Sequence, residues 1–139
     1  MIEKILFKKE IYAIILRKKY KSSGIKFFTP NKFSQQLAYM KRPTGYAIQP
    51  HIHKKIRKEI KFTQEVLFIR SGKVKVDFFS EKKKFIKSKI LKEGDIILLS
   101  RGGHGFKIIK EAEIIEVKQG PYDPESDKIR FNPNKKTKK

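Results

Sequence analysis

Short apolar or alternating runs, spaced about ten residues apart and separated by turn formers, constrain the fold of this chain more than any other feature. Ile11, Tyr12, Ala13, Ile14, Ile15 and Leu16 form an unbroken apolar run between lysine clusters and read as a buried strand. Residues 25–28 follow a Ser22-Ser23-Gly24 turn and stop at Thr29-Pro30, and residues 33–40 alternate loosely and end before Pro43. Residues 45–53 read as extended, with Pro50 marking an edge that pairs nothing. Residues 65–69 run into Ser71-Gly72 and residues 73–79 alternate cleanly behind them, which reads as a hairpin. Residues 85–91 lead to a turn at Glu93-Gly94-Asp95, and residues 96–99 make a short buried strand. Residues 106–109 and 113–117 close the series before Gly120-Pro121. Helical periodicity is weak everywhere; residues 54–61 would form a turn or two at most and carry no clear amphipathic stripe. Many short strands in one small domain mean a sandwich or a barrel, so the expected class is all-β.

At 139 residues the chain is long enough for one core, and 38% hydrophobic content argues against wholesale disorder. It has no cysteine, which excludes disulfides, thiolate metal sites and cysteine nucleophiles. The longest apolar run is six residues, far short of the roughly 20 a membrane helix needs, and the start lacks the plan of a secretory signal. A soluble, cytoplasmic protein with no membrane partner is expected. The net charge of +21 invites a nucleic-acid reading, but 29 of the 35 basic residues are lysine and only six are arginine, the better fork for phosphates and guanine edges. Twenty isoleucines accompany those lysines, which points to a compositional bias with lysine filling solvent positions. No helix gathers the charge on one face, so nucleic acid is not the expected partner.

All three histidines of the chain fall in places that matter. His51 and His53 sit two apart in a stretch read as extended, which turns both imidazoles to one face. Glu65 opens a hydrophobic strand, where a carboxylate is costly to bury unless it is paired or bound to a metal. His104 follows the Gly102-Gly103 bend. Were these side chains to converge, three imidazoles and one carboxylate would suit a divalent ion such as Fe, Mn, Ni, Co or Zn. The plain alternatives are two surface histidines and a solvated charge at a strand end.

The spacing Gly45, five residues, His51-Ile52-His53, then Glu65, six residues, Gly72 resembles the first motif of the cupin superfamily. Gly94, five residues, then Ser100-Arg101-Gly102-Gly103-His104 is similar to the second. The resemblance covers residues 31–120 and implies a double-stranded β-helix, the cupin or jelly-roll barrel, with His51, His53, Glu65 and His104 holding one divalent metal ion. Two departures accompany it: eleven residues separate His53 from Glu65 where the family has three or four, and serine stands at Ser100 in place of proline, with the histidine one residue early. The runs Phe27-Phe28-Thr29-Pro30, Phe33-Ser34-Gln35-Gln36, Thr63-Gln64-Glu65-Val66-Leu67 and Lys118-Gln119-Gly120-Pro121-Tyr122 resemble a subgroup of single-domain bacterial cupins associated with surface-sugar metabolism. The organisation this implies is one domain over 1–131, with N-terminal strands as an arm over 1–30, and a flexible basic tail over 132–139.

Counting by twos from the ligands puts Gln49 and Phe106 in the expected substrate pocket, and Gln36, Tyr39 and Gln64 are candidates for hydrogen bonds within it. The expected ligand is a small polar metabolite, a sugar or sugar-nucleotide type by the resemblance, handled by isomerase- or epimerase-like chemistry or, with iron, by dioxygenase-like chemistry. The ligand set does not choose between these, and no catalytic base is identified. A non-catalytic sugar- or metal-binding cupin is the alternative. A metal-free epimerase would need a histidine–carboxylate base opposite a tyrosine, which the His-x-His pair argues against. A homodimer is expected, with residues 11–16 adding to a sheet edge in their own barrel or a partner's.

Overall fold

The computed structural model describes residues 1–133, so the charged end of the expected tail (134–139) lies outside the described residues. Eight strands are formed and no helix among the described residues: β1 (Ile2–Phe7), β2 (Glu10–Leu16), β3 (Gly24–Phe27), β4 (Ala38–Lys41), β5 (Glu65–Phe79), β6 (Phe85–Lys92), β7 (Ile96–Leu99) and β8 (Gly103–Lys118). Six of them make one antiparallel sheet in the order β1-β2-β7-β5-β6, with β8 paired to β5; β3 and β4 form a separate hairpin. The large sheet curls into a half-barrel, so the chain is all-β.

The apolar run at 11–16 becomes β2 and is buried because sheet covers it on both edges. It pairs β1 on one side, with Ile2 opposite Leu16, and β7 on the other, with Ala13 opposite Leu99. The edge addition expected of this run is therefore met inside its own sheet. Its side chains divide between two clusters. Tyr12, Ala13 and Ile15 join Leu67, Ile69, Val74, Val76, Phe78, Leu91 and Ile97, while Ile14 packs with Leu37 and Leu98 on the opposite face. Ile14 and Ile15 are both 0% exposed, and each such side chain contributes roughly 1.5–3 kcal/mol by leaving water.

Two long strands replace what the sequence divides into four. Residues 65–79 form the single strand β5, not a hairpin turning at Ser71-Gly72. Residues 106–109 and 113–117 are likewise parts of β8. The two strands pair along their whole lengths, from Glu65 opposite Lys118 to Phe79 opposite Gly103, with register shifts between Ile69 and Val74. Gly72 sits in that irregular stretch at φ 87°. A Cβ there would lie 2.1 Å from the Glu111 carbonyl oxygen and 2.6 Å from the Ala112 Cα, so only glycine lets the partner strand pass. A glycine at positive φ serves a bulge as well as a turn, which is why the local pattern reads as either. On its other edge β5 pairs first with β7, through residues 65–68, and then with β6, through residues 73–79.

The β6–β7 turn is held by Asp95, a buried carboxylate whose neighbours satisfy it. It accepts hydrogen bonds from the Lys18 N–H (3.0 Å), the Lys92 N–H (2.8 Å) and Arg17 Nη1 (3.0 Å). Arg17 in turn reaches Glu3 at 2.5 Å, and Lys89 reaches the same carboxylate at 2.9 Å. The Arg17 guanidinium first, and then Lys89, hold the Glu3 pKa down at about 2. Ser100, where the resembled motif has proline, uses both groups that proline lacks. Its N–H donates to the Tyr12 carbonyl at 3.0 Å and its hydroxyl to the Ile11 carbonyl at 2.7 Å.

Candidate functional site

The curl of the β5–β8 ribbon builds the site. Glu65 begins β5, whereas His104 lies opposite Phe78, near the far end of that strand. Thirteen extended residues span roughly 43 Å, yet His104 Nε2 lies 2.7 Å from Glu65 Oε1. Only a strongly bent ribbon brings its two ends together, and the irregular stretch around Gly72 is where the ladder bends. The imidazole donates to the carboxylate, and both groups are mostly withdrawn from solvent, with side chains 29% and 12% exposed.

A second carboxyl completes the cluster: Glu116, opposite Leu67, hydrogen-bonds Glu65. Burial pushes the Glu65 pKa up, but hydrogen bonds from His104 and Glu116 outweigh it, helped by the charges of His104 and Lys118, and hold it at about 2. The same shared hydrogen bond, with burial, pushes the Glu116 pKa up, so Glu116 is the carboxyl that keeps a proton longest. Lys118 is occupied with Asp127 at 3.3 Å. Phe106 stands edge-on to the His104 ring, with centroids 5.4 Å apart. Glu116 is absent from the residues singled out in sequence. Counting by twos from His104 reaches it, but the count stops where the first of the two runs read there, 106–109, ends.

The other expected ligands are elsewhere. His51 and His53 lie in a segment with no regular secondary structure, and residues 40–63 are exposed without exception. Their rings are 5.4 Å apart, edge to face, and His51 Nδ1 lies 2.9 Å from the Gln49 carbonyl oxygen. Among the described residues no three His, Asp or Glu side chains converge as a metal site would require. The extended reading of 45–53 therefore produces no strand here. Pro50 and Gly45 interrupt the segment, and most of the residues after His53 are charged, leaving no apolar face with which to join a sheet.

The expected hydrogen-bonding residues serve local structure. Gln36 donates to the carbonyls of Pro30 and Phe33, both at 2.9 Å, and accepts from the Thr29 hydroxyl at 2.6 Å, which folds the loop before β4. Gln64 is buried; its side chain accepts the Gln35 N–H at 3.0 Å, and its own N–H donates to the Gln119 side chain at 3.0 Å. Tyr39 packs edge-on against Tyr20, with centroids 5.1 Å apart. Gln49 is exposed beside His51. Close to Gln64 the structure has a cleft of about 330 Å³, lined by Glu10, Phe33, Phe62, Ser100 and Arg101 among others. The charge of Arg101 is met by Glu81 at 2.6 Å and Glu10 at 3.3 Å.

No protein-family model, no curated protein and no solved structure matches this chain. Among the described residues no helix is long and apolar enough to cross a membrane.

Proposed function

We propose that this half-barrel is cupin-like and binds a small polar metabolite, a sugar or sugar-nucleotide type by the resemblance of its motifs, with Glu65 and His104 as its chemical centre. The observation that carries the reading is the Glu65–His104 pair itself, a withdrawn imidazole hydrogen-bonded to a carboxylate at 2.7 Å with a second carboxyl, Glu116, alongside. A carboxylate that orients an imidazole equips it to take and return a proton, the elementary step of sugar isomerisation or epimerisation. Phe106 supplies an apolar wall beside the ring, and a mostly apolar surface with a few convergent polar groups suits a small ligand.

A second reading keeps the divalent ion. Imidazole and carboxylate are fitting donors for Fe, Mn, Ni, Co or Zn, and Glu65 with His104 would supply two of the four. The arrangement described does not gather the other two, since His51 and His53 stand on the exposed segment, so no chemical step is assigned to a metal here. The two readings separate cleanly. The full-length protein is incubated with a panel of sugar phosphates and nucleotide sugars, and binding and turnover are followed with and without chelator. Proton transfer by the pair predicts loss in Glu65→Gln and His104→Ala, and indifference to His51→Ala and to chelator. A metal centre predicts loss in all three variants and with chelator, and a bound metal in elemental analysis of untagged protein. Binding without conversion marks the carrier alternative, and binding untouched by Glu65→Gln and His104→Ala overturns the assignment of the site.

A further inference from the structure

The structure leaves one long strand edge open. β8 pairs only with β5, so its other edge is free over 16 residues, and among the described residues no backbone hydrogen bond from outside the strand ladders reaches it. Five large apolar side chains of this strand are exposed: Phe106, Ile108, Ile109, Ile115 and Val117. A long open edge with exposed apolar side chains is what a further strand pairs with, and the lysines and the irregular stretch at 108–114 restrict that pairing to a strand that matches them.

The charges of β8 say which strand. Lys107 and Lys110 lie in its first half, and Glu111, Glu113 and Glu116 with a single lysine, Lys118, in its second. The whole chain carries +21 with only 14 acidic residues, so two copies repel over most of their surfaces. Along β8 that rule is reversed. An antiparallel neighbour of the same sequence sets the net basic half of each strand against the net acidic half of the other, with Lys110 alone, on the two-fold axis, facing its like.

We propose that β8 is the seam of a two-fold homodimer, pairing antiparallel with β8 of a second copy in a register centred on Lys110. A two-fold axis through the seam keeps inner faces together, and this register respects that. Phe106 and Ile108 sit opposite the buried Val76 and Val74, Ile114 sits opposite the buried Ile69, and Ala112 packs on the same core. All four therefore belong to the inner face. Across the seam Phe106 meets Ile114 of the other copy and Ile108 meets Ala112. On the outer face Lys107 meets Glu113, and symmetry makes that contact twice. Glu113 already accepts the Ser71 hydroxyl at 3.2 Å, which fixes its carboxylate on the outer side of the ribbon. The same register sets His104 opposite Glu116 of the other copy, so the seam runs beside the Glu65–His104 pair; the seam rests on strand pairing and charge, and the chemistry proposed for that pair is not needed for it.

The test is sedimentation equilibrium of the full-length protein, with Lys107→Glu, Glu113→Lys and the double exchange. The wild type is expected to dimerise in the micromolar range. Each single reversal turns two attractive cross-strand contacts into two repulsive ones and should raise the dimer Kd about tenfold. The double exchange restores opposite charges across the seam and should return the Kd to within about threefold of wild type. Both positions are at the surface, and far-UV circular dichroism checks that each variant is folded. A wild type that stays monomeric at 100 μM (about a hundredfold above the micromolar scale) overturns the proposal. So does a dimer indifferent to the single reversals, or one that the double exchange fails to restore.

Discussion

The wall of the half-barrel and the segment at 40–63 are both isoleucine-bearing, and they behave in opposite ways. In β2, Ile14 and Ile15 stand side by side and are 0% exposed; in the segment, Ile52 is 93% and Ile56 67% exposed. The difference lies in the neighbours. Tyr12, Ala13 and Leu16 extend the β2 run so that both faces of the strand have something to bury, and β1 and β7 cover its edges. Ile52, Ile56 and Ile60 of the segment stand among His51, His53, Lys54, Lys55, Arg57, Lys58, Glu59 and Lys61, which no sheet face would bury. Hydrophobic side chains make a strand when they occur together, and the same residues dispersed among charges do not.

The largest test of that contrast uses two glycines that share a backbone conformation, Gly72 in the wall at φ 87° and Gly45 in the segment at φ 84°. Gly72→Val drives a side chain into the β8 backbone and should cost roughly 4 kcal/mol or more, measured by urea denaturation. Gly45→Ala meets nothing within 4 Å and should cost about 1 kcal/mol, the strain of the dihedral alone. Equal losses at both sites would break the comparison. Next in size, Ile15→Ala should destabilise by about 2–5 kcal/mol, whereas Ile52→Ala should stay within about 0.5 kcal/mol. A large loss at Ile52 would place the segment against the core.

The smallest effect is a pH dependence that belongs to the wall alone. The Glu3 pKa is about 2 in the folded chain, lowered from an ordinary 4.5 by Arg17 and Lys89. A depressed carboxyl stabilises above its unfolded pKa, so this contribution is complete above pH 4.5 and is lost as the pH falls toward 2. The network is a third exposed, so the loss should be no more than about 1 kcal/mol. Glu3→Gln should flatten the acid limb of the stability curve by that amount. A curve that Glu3→Gln leaves unchanged would show that the ion network contributes nothing to the wall.

Much of the fold is legible because it is written locally. The runs at 11–16, 25–28, 85–91 and 96–99 carry their own apolar pattern and become β2, β3, β6 and β7 with small shifts at their ends. The first strand, β1, goes unread because its single fully buried side chain, Ile5, gives no periodic signal. Of the candidate site, Glu65 and His104, expected as two of four ligands to one ion, lie in contact with each other, whereas His51 and His53 rest on an extended reading that their segment does not adopt. Glu116 is hidden because one continuous strand is read as two separate runs, 106–109 and 113–117.

The sequence by itself determined that this chain is built of β-strands, because strand-forming runs and turn formers act on their immediate neighbours. Only the tertiary structure decided that Gly72 marks a bulge and not a reversal, and that Glu65 touches a histidine 39 positions away. Those outcomes depend on which strand lies alongside and how far the paired ribbon bends, and a contact of that range is fixed by the partner across the ladder, not by adjacent residues.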